Sequence, residues 1–286
     1  MDETGHPDDP VCNYVGMAGF VAPAGAWEVF AEQWQTTLNN ARLKEPFHMK
    51  EFAHRPKGSQ FEEWSESDRQ LLFGELIKHI RETLARPVAA IVSLRDYESL
   101  TPQQQSHFAD PYYVAFQTAT RGATLEATGY APDETEPIAM VYSYNEEYGT
   151  NNGGKAEQMW YMVKQSWNRG DLMGSYTSST PEDHCELQAA DVFAYELSHD
   201  FERMIKAPQC GMRWGLRRVL GMYDIPLPQI RFLDRRALLR FVRGSSFVDQ
   251  TGVQELGSEM DEMVREQAFV TRWLIERGKY DGEFEI

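Results

Sequence analysis

Leu187-Gln188-Ala189-Ala190-Asp191-Val192-Phe193-Ala194-Tyr195-Glu196 is a helical stretch that sets one acid, Asp191, among apolar residues. Such an acid is costly to bury without a partner. At the other end of the chain stands Asp2-Glu3-Thr4-Gly5. Together the two stretches predict an acidic site built from opposite ends of one domain. One carboxylate comes from the first strand and another from the last core helix. The structural alternative at Asp191 is a cap or an Arg partner; at Asp2 and Glu3 it is a pair of ordinary terminal acids.

The elements between these stretches follow from periodicity. Val11 to Val21 alternates and reads as a strand. Trp27, Phe30, Trp34 and Leu38 recur at three- and four-residue steps, an amphipathic helix. A polar stretch with Pro46 and Pro56 follows. Ser65, with Asp68 three residues on, opens a helix through Leu84. Pro87 breaks it, and Val88 to Leu94 reads as a strand. Asp110-Pro111 starts a helix to about residue 128, and Ile138 to Tyr144 is a strand. Lys155 to Trp167 is a helix, Leu172 to Thr177 a short strand, and Glu186 to about Ile205 a helix. With a helical insertion (about 26–86) set aside, this α/β order resembles a ribonuclease H-like core, a mixed sheet with helices on both faces. Residues 1–207 form that domain. Residues 208–286 read as a helical C-terminal extension, with helices at Gly211 to Leu220 and Ala237 to Val242, a break at Gly244-Ser245-Ser246, and a terminal helix near Glu255 to Arg277.

Bulk properties narrow the function classes. The chain has 286 residues and a net charge of −16, which opposes whole-surface affinity for nucleic acid. The charge is uneven: Arg203 to Arg243 holds ten Arg and Lys against Asp224 and Asp234 alone. That segment reads either as a phosphate-contacting surface, with Arg213, Arg217 and Arg218 as contacts, or as a solvated helix face. No apolar run is long enough to span a membrane, and no basic region followed by an apolar stretch opens the chain. Three scattered cysteines, Cys12, Cys185 and Cys210, fit reduced thiols and a cytoplasmic location.

Asp2-Glu3-Thr4-Gly5, Phe47-His48-Met49-Lys50-Glu51 and Leu187-Gln188-Ala189-Ala190-Asp191, in this order, resemble domain-of-unknown-function family 3800 (DUF3800). The resemblance covers roughly residues 2–200. It implies a ribonuclease H-like fold and metal-dependent nuclease chemistry. Asp2 would be the first-strand metal ligand and Asp191 the late-helix ligand, with Glu3 an alternative ligand. His48 and Glu51 would flank the site, with Gln188 in the late motif beside it. Hard Mg²⁺ or Mn²⁺ ions suit such carboxylates. The family's middle-strand Asp is absent: the stretch reads Val141-Tyr142-Ser143-Tyr144-Asn145-Glu146-Glu147. Glu146 or Glu147 would substitute, Glu147 in preference, or the site is one ligand short. Glu196 lies five residues beyond Asp191, about 140° around the helix, and is a weaker contributor. The first strand is a stub, with one residue before Asp2. Either the true start lies upstream or this ligand is loosely held.

Other motifs point elsewhere. Gly149-Thr150-Asn151-Asn152-Gly153-Gly154-Lys155-Ala156 nearly spells a P-loop, but Ala156 stands where Ser or Thr would hold Mg²⁺. Lys155 would then contact phosphate, and nucleotide binding is an alternative function. No Gly-x-Ser-x-Gly elbow or His-Glu-x-x-His motif occurs. The leading expectation is a divalent-metal-dependent nuclease or phosphodiesterase using Asp2, Glu147 and Asp191. The rival is a catalytically degenerate module that binds nucleic acid or a protein partner. Exposed-looking aromatics permit a homodimer without requiring one.

Overall fold

A computed structural model describes residues 1–5, 13–108, 110–129, 137–146, 148–151, 153–207, 210–220 and 229–247. Strand β1 (Asp2–Thr4) pairs antiparallel with β2 (Tyr14–Val21), so that Asp2 opposes Ala18 and Glu3 opposes Met17. Helices α1 (Ala24–Asn40), α2 (Met49–His54) and α3 (Glu66–Glu82) form the insertion. β3 (Arg86–Ser93) returns antiparallel to β2. Two short helices, α4 (Leu94–Glu98) and α5 (Pro102–Gln105), lead to α6 (Pro111–Ala127). Then come β4 (Ile138–Ser143), α7 (Lys155–Ser166), β5 (Met173–Ser179) and α8 (Glu186–Lys206). The chain continues through α9 (Trp214–Val219), β6 (Gln229–Leu233) and α10 (Arg235–Phe247).

The fold is mixed α/β. One sheet runs β1-β2-β3-β6, and β4 pairs parallel with β5. Met1 joins the two. Its nitrogen donates to Val141 O at 2.7 Å, and Ser143 N donates to Met1 O at 2.8 Å. Two bonds bracketing Tyr142 from one residue are the pattern of a parallel pair. The strands therefore follow one another as β6-β3-β2-β1-β4-β5, with β2 alone antiparallel to its neighbours. The short first strand is held despite its length, because pairs lie on both sides of it.

Helices cover both faces. On one, Ala18 and Ala89 of the sheet pack with Ala189, Val192 and Phe193 of α8 and with the insertion. That side is built from rings: Phe30 to Trp34, Trp34 to Phe47, and Phe47 to Phe52 have centroids 5.0, 6.2 and 5.0 Å apart. Burying such a side chain stabilises the fold by roughly 1.5–3 kcal/mol, which explains why the insertion holds to the core. On the other face, Met17, Ala90 and Val92 meet Tyr112 and Phe116 of α6 and Trp160 of α7.

Several sequence expectations stand in the structure. Ser65 caps α3 by accepting from Asp68 N, and Asp110 caps α6 by accepting from Tyr112 N. Others are corrected. α2 lies in the polar stretch where no helix was assigned, and β3 begins before Pro87, which sits opposite Phe20 near the strand's start. The extension after residue 207 is not wholly helical: β6 extends the core sheet parallel to β3. Gly244, Ser245 and Ser246 do not break α10, which runs on to Phe247. The expected terminal helix near Glu255 to Arg277 lies outside the described residues. No described helix is long and apolar enough to cross a membrane.

Candidate active site

In an antiparallel pair, directly opposed residues share a face. Asp2 opposes Ala18, which packs on α8, so Asp2 faces the helix that carries Asp191. Asp2 is half-buried. Burial pushes its pKa well above the usual range, the negative charges of Glu3 and Asp191 add to the rise, and a hydrogen bond with the Ser143 side chain opposes it. The β4 residue that meets Asp2 is thus Ser143, a hydroxyl rather than the expected third carboxylate.

Asp191 lies on the exposed margin of α8, with 23% of its side chain accessible. Its Oδ2 accepts from Met49 N at 2.7 Å, at the first residue of α2. His48 Nδ1 lies 3.8 Å from the same oxygen. That contact raises the His48 pKa against the opposing effect of partial burial, and the charges of Glu51 and Glu182 add to it. The structural alternative for Asp191 is therefore realised in part: it caps α2. Glu51 sits half-buried in the first turn of α2.

Gln188 serves the fold directly. It is 3% exposed, and its Oε1 accepts from Trp34 Nε1 at 2.8 Å and Phe47 N at 3.0 Å. Its Nε2 donates to Pro181 O at 2.8 Å. One amide thereby ties α1, the segment before α2, and the turn before α8. It fixes the frame in which Met49 meets Asp191, a supporting place beside the site rather than one open to substrate.

Glu3 points to the opposite face, opposite Met17. Asn145 Nδ2 donates to its Oε1 at 2.6 Å, while Oε2 is buried without a hydrogen-bond partner. Burial raises its pKa, eased by Asn145. The strand's alternation thus separates Glu3 from the Asp2–Asp191 side. Glu146 is exposed and accepts from Tyr144 OH at 2.7 Å. Glu147 lies outside the described residues.

Glu196 and Arg213 are corrected most sharply. Glu196 is fully buried, and Arg213 Nε and Nη2 donate to its Oε2 and Oε1 at 3.0 and 3.2 Å. Arg213 N also donates to Asp200 Oδ1 at 2.8 Å. Arg213 is itself buried, so it fastens the segment before α9 to α8 and is not a phosphate contact. Of the other basic candidates, Arg217 is half-buried and Arg218 exposed, in the last turn of α9, with Arg218 over the Trp214 ring at 5.1 Å.

The near-P-loop is closed on itself. Gly149 and Gly153 have φ of +62° and +77°. Ala156 N donates to Gly149 O, and Gly153 N to the Glu157 carboxylate. The Lys155 ammonium lies over the Tyr113 ring at 4.5 Å. Two of the amides that would face a phosphate, Gly153 N and Ala156 N, are therefore engaged, and an acid occupies the helix entrance.

Carboxylate oxygens suit a hard divalent ion, and two of the expected ligands share a face. Among the described residues, no group of three or more His, Cys, Asp or Glu is arranged to hold a metal ion. Asp2 and Asp191 are the two expected carboxylates on this face, with Ser143 beside Asp2. The sequence reading missed Ser143 and Met49 N; neither carries a local signal, because their partners are remote in the chain. Cys185 is half-buried beside Glu186, and burial pushes its thiol up to about 12, which makes it a poor nucleophile at neutral pH. No protein-family model, curated protein or solved structure matches this chain.

Proposed function

We propose that this chain is a divalent-metal-dependent phosphodiester hydrolase acting on nucleic acid, on a ribonuclease H-like framework akin to domain-of-unknown-function family 3800. One observation carries the reading: Asp2 on β1 faces α8, which bears Asp191, and after burial and the charge of Glu3 the Asp191 charge adds to the rise in the Asp2 pKa. Converging anions of this kind are unfavourable unless a cation joins them. Asp2 and Asp191 would hold Mg²⁺ or Mn²⁺. A bound ion of this type lowers the pKa of a coordinated water and offsets charge on the leaving oxygen. The chain's own groups do the orienting. Met49 N and His48 hold one oxygen of Asp191, Gln188 holds the segment that bears them, and Ser143 steadies Asp2. Exposed Arg218 is available to a phosphate backbone.

The test is cleavage of labelled single- and double-stranded oligonucleotides with Mn²⁺. Activity should appear in the wild type and disappear in Asp2→Asn and Asp191→Asn. Activity that survives both substitutions would refute the assignment. A second reading, a module that binds nucleic acid or protein without cleaving, is favoured by Ser143 standing beside Asp2 where a carboxylate was expected. Oligonucleotide binding with no Mn²⁺-dependent cleavage would select it.

A further inference from the structure

Positions 191, 195 and 199 on α8 are each four residues apart, so they lie along one stripe with a rise of about 6 Å per step. Asp191 begins the stripe. Beyond it the Tyr195 and His199 rings stack, with centroids 3.9 Å apart and planes 25° apart. His199 Nδ1 lies 3.0 Å from Tyr195 O, which fixes the imidazole against the helix. Both residues are half-buried. Helix α2 runs alongside. At its start Met49 N meets Asp191, and at its end exposed His54 reaches Tyr195, Nε2 to OH at 3.5 Å, with the two rings edge to face. Arg55 follows His54, exposed and in the left-handed region at φ 47°, and donates to Trp64 O at 3.2 Å. The charges of Arg69 and Arg213 act on the Tyr195 hydroxyl, against those of Glu196 and Glu202. Arg69 and Arg213 are themselves paired with Glu66 and Glu196, which leaves exposed His54 and Arg55 as the polar groups at the edge of the ring pair.

We propose that Tyr195 and His199, with His54 at their edge, form a stacking subsite for an unpaired nucleobase one to two helical turns from Asp191. This rests on the phosphodiester-hydrolase reading and narrows its substrate to single-stranded nucleic acid. A stacked aromatic pair offers a flat π-face to any base, and stacking of this kind tolerates sequence but requires the base to be out of a duplex. His54 and Arg55 supply donors at the edge for the adjoining backbone.

The experiment compares a labelled thymidine oligonucleotide of about 12 residues with an abasic oligonucleotide of equal length and charge. Binding is read by fluorescence anisotropy with Ca²⁺, for wild type, Tyr195→Leu, Tyr195→Phe and His199→Leu. The proposal expects the wild type to bind the thymidine strand about tenfold or more tightly than the abasic one. Tyr195→Leu and His199→Leu should lose that preference while binding the abasic strand as the wild type does, and Tyr195→Phe should keep it. Retained abasic binding also certifies that the Leu variants are folded. Equal affinity of the wild type for both strands, or a preference that survives Tyr195→Leu, overturns the stacking subsite and leaves the hydrolase reading standing. Failure of the wild type to bind either strand overturns both.

Discussion

Replacing Arg213 with Met tests whether the Glu196–Arg213 pair belongs to the fold rather than to a ligand. The guanidinium makes two hydrogen bonds, at 3.0 and 3.2 Å, to a carboxylate with no exposure. Met fills similar volume, so the main loss is the charge partner. Breaking a buried pair from one side costs about 3–5 kcal/mol, against a total stability of about 5–15 kcal/mol. Burial already holds the Glu196 carboxyl above its usual pKa even with Arg213 beside it, and without Arg213 it rises further. An acid whose folded pKa exceeds its unfolded value, about 4.3, keeps its full contribution below that unfolded value. The contribution is lost as pH rises through the folded pKa. The deficit of Arg213→Met relative to wild type should therefore be about 3–5 kcal/mol at neutral pH and shrink towards pH 5. Urea unfolding of wild type, Arg213→Met, Glu196→Leu and the double variant measures this. The double variant should recover much of the loss, since apolar replacement of both partners removes the desolvation cost. A deficit below about 1 kcal/mol, or one unchanged by pH, would refute the reasoning and return Arg213 to the ligand contacts.

Three further perturbations probe the site's frame. Gln188→Leu leaves Trp34 Nε1, Phe47 N and Pro181 O without their partner. At about 1–3 kcal/mol for each buried group so stranded, chemical denaturation should show a loss of about 3 kcal/mol or more; a neutral substitution would show that the insertion is held otherwise. Asp2→Asn should raise the melting temperature in EDTA, because it removes a desolvated anion near Glu3 and Asp191; a lower melting temperature would mean that the carboxylate is stabilised within the fold. His79 packs its Nε2 2.7 Å from Thr37 Oγ1, and burial lowers its pKa despite Glu75 and Glu82. A His with a depressed folded pKa stabilises above its unfolded value, about 6.5, and that stabilisation is lost as pH falls through both values. Stability should thus drop from pH 7.5 to pH 5.5 more steeply in wild type than in His79→Leu, and parallel profiles would contradict it.

What could be read from the sequence was what is local. The caps at Ser65 and Asp110 marked helix starts because each bonds a residue two or three positions on. Heptad-like spacing from Trp27 to Leu38 marked α1 for the same reason. α2 escaped notice because its 6 residues are too few to show a period, and its first amide bonds Asp191, 142 residues away. β6 has 5 residues and a parallel partner, β3, far back in the chain. The site divides likewise. Asp191 was legible as an acid among apolar residues and Asp2 through the opening motif and its family resemblance, and the structure sets them on one face. Glu3 was placed with them by the family resemblance, yet strand alternation sends neighbours to opposite faces. Glu196 was read as turned away from Asp191; what it turns towards, Arg213, needed the packing of α9 on α8.

The central claim is that Asp2 and Asp191 hold a divalent ion between β1 and α8. Calorimetric titration of Mn²⁺ into the wild type and Asp191→Asn addresses it most directly. The Asn side chain keeps an oxygen for Met49 N and removes only the charge, so the α2 contact survives. Saturable binding in the wild type that vanishes in the variant is the expected result. Equal binding in both, or none in the wild type, would contradict it.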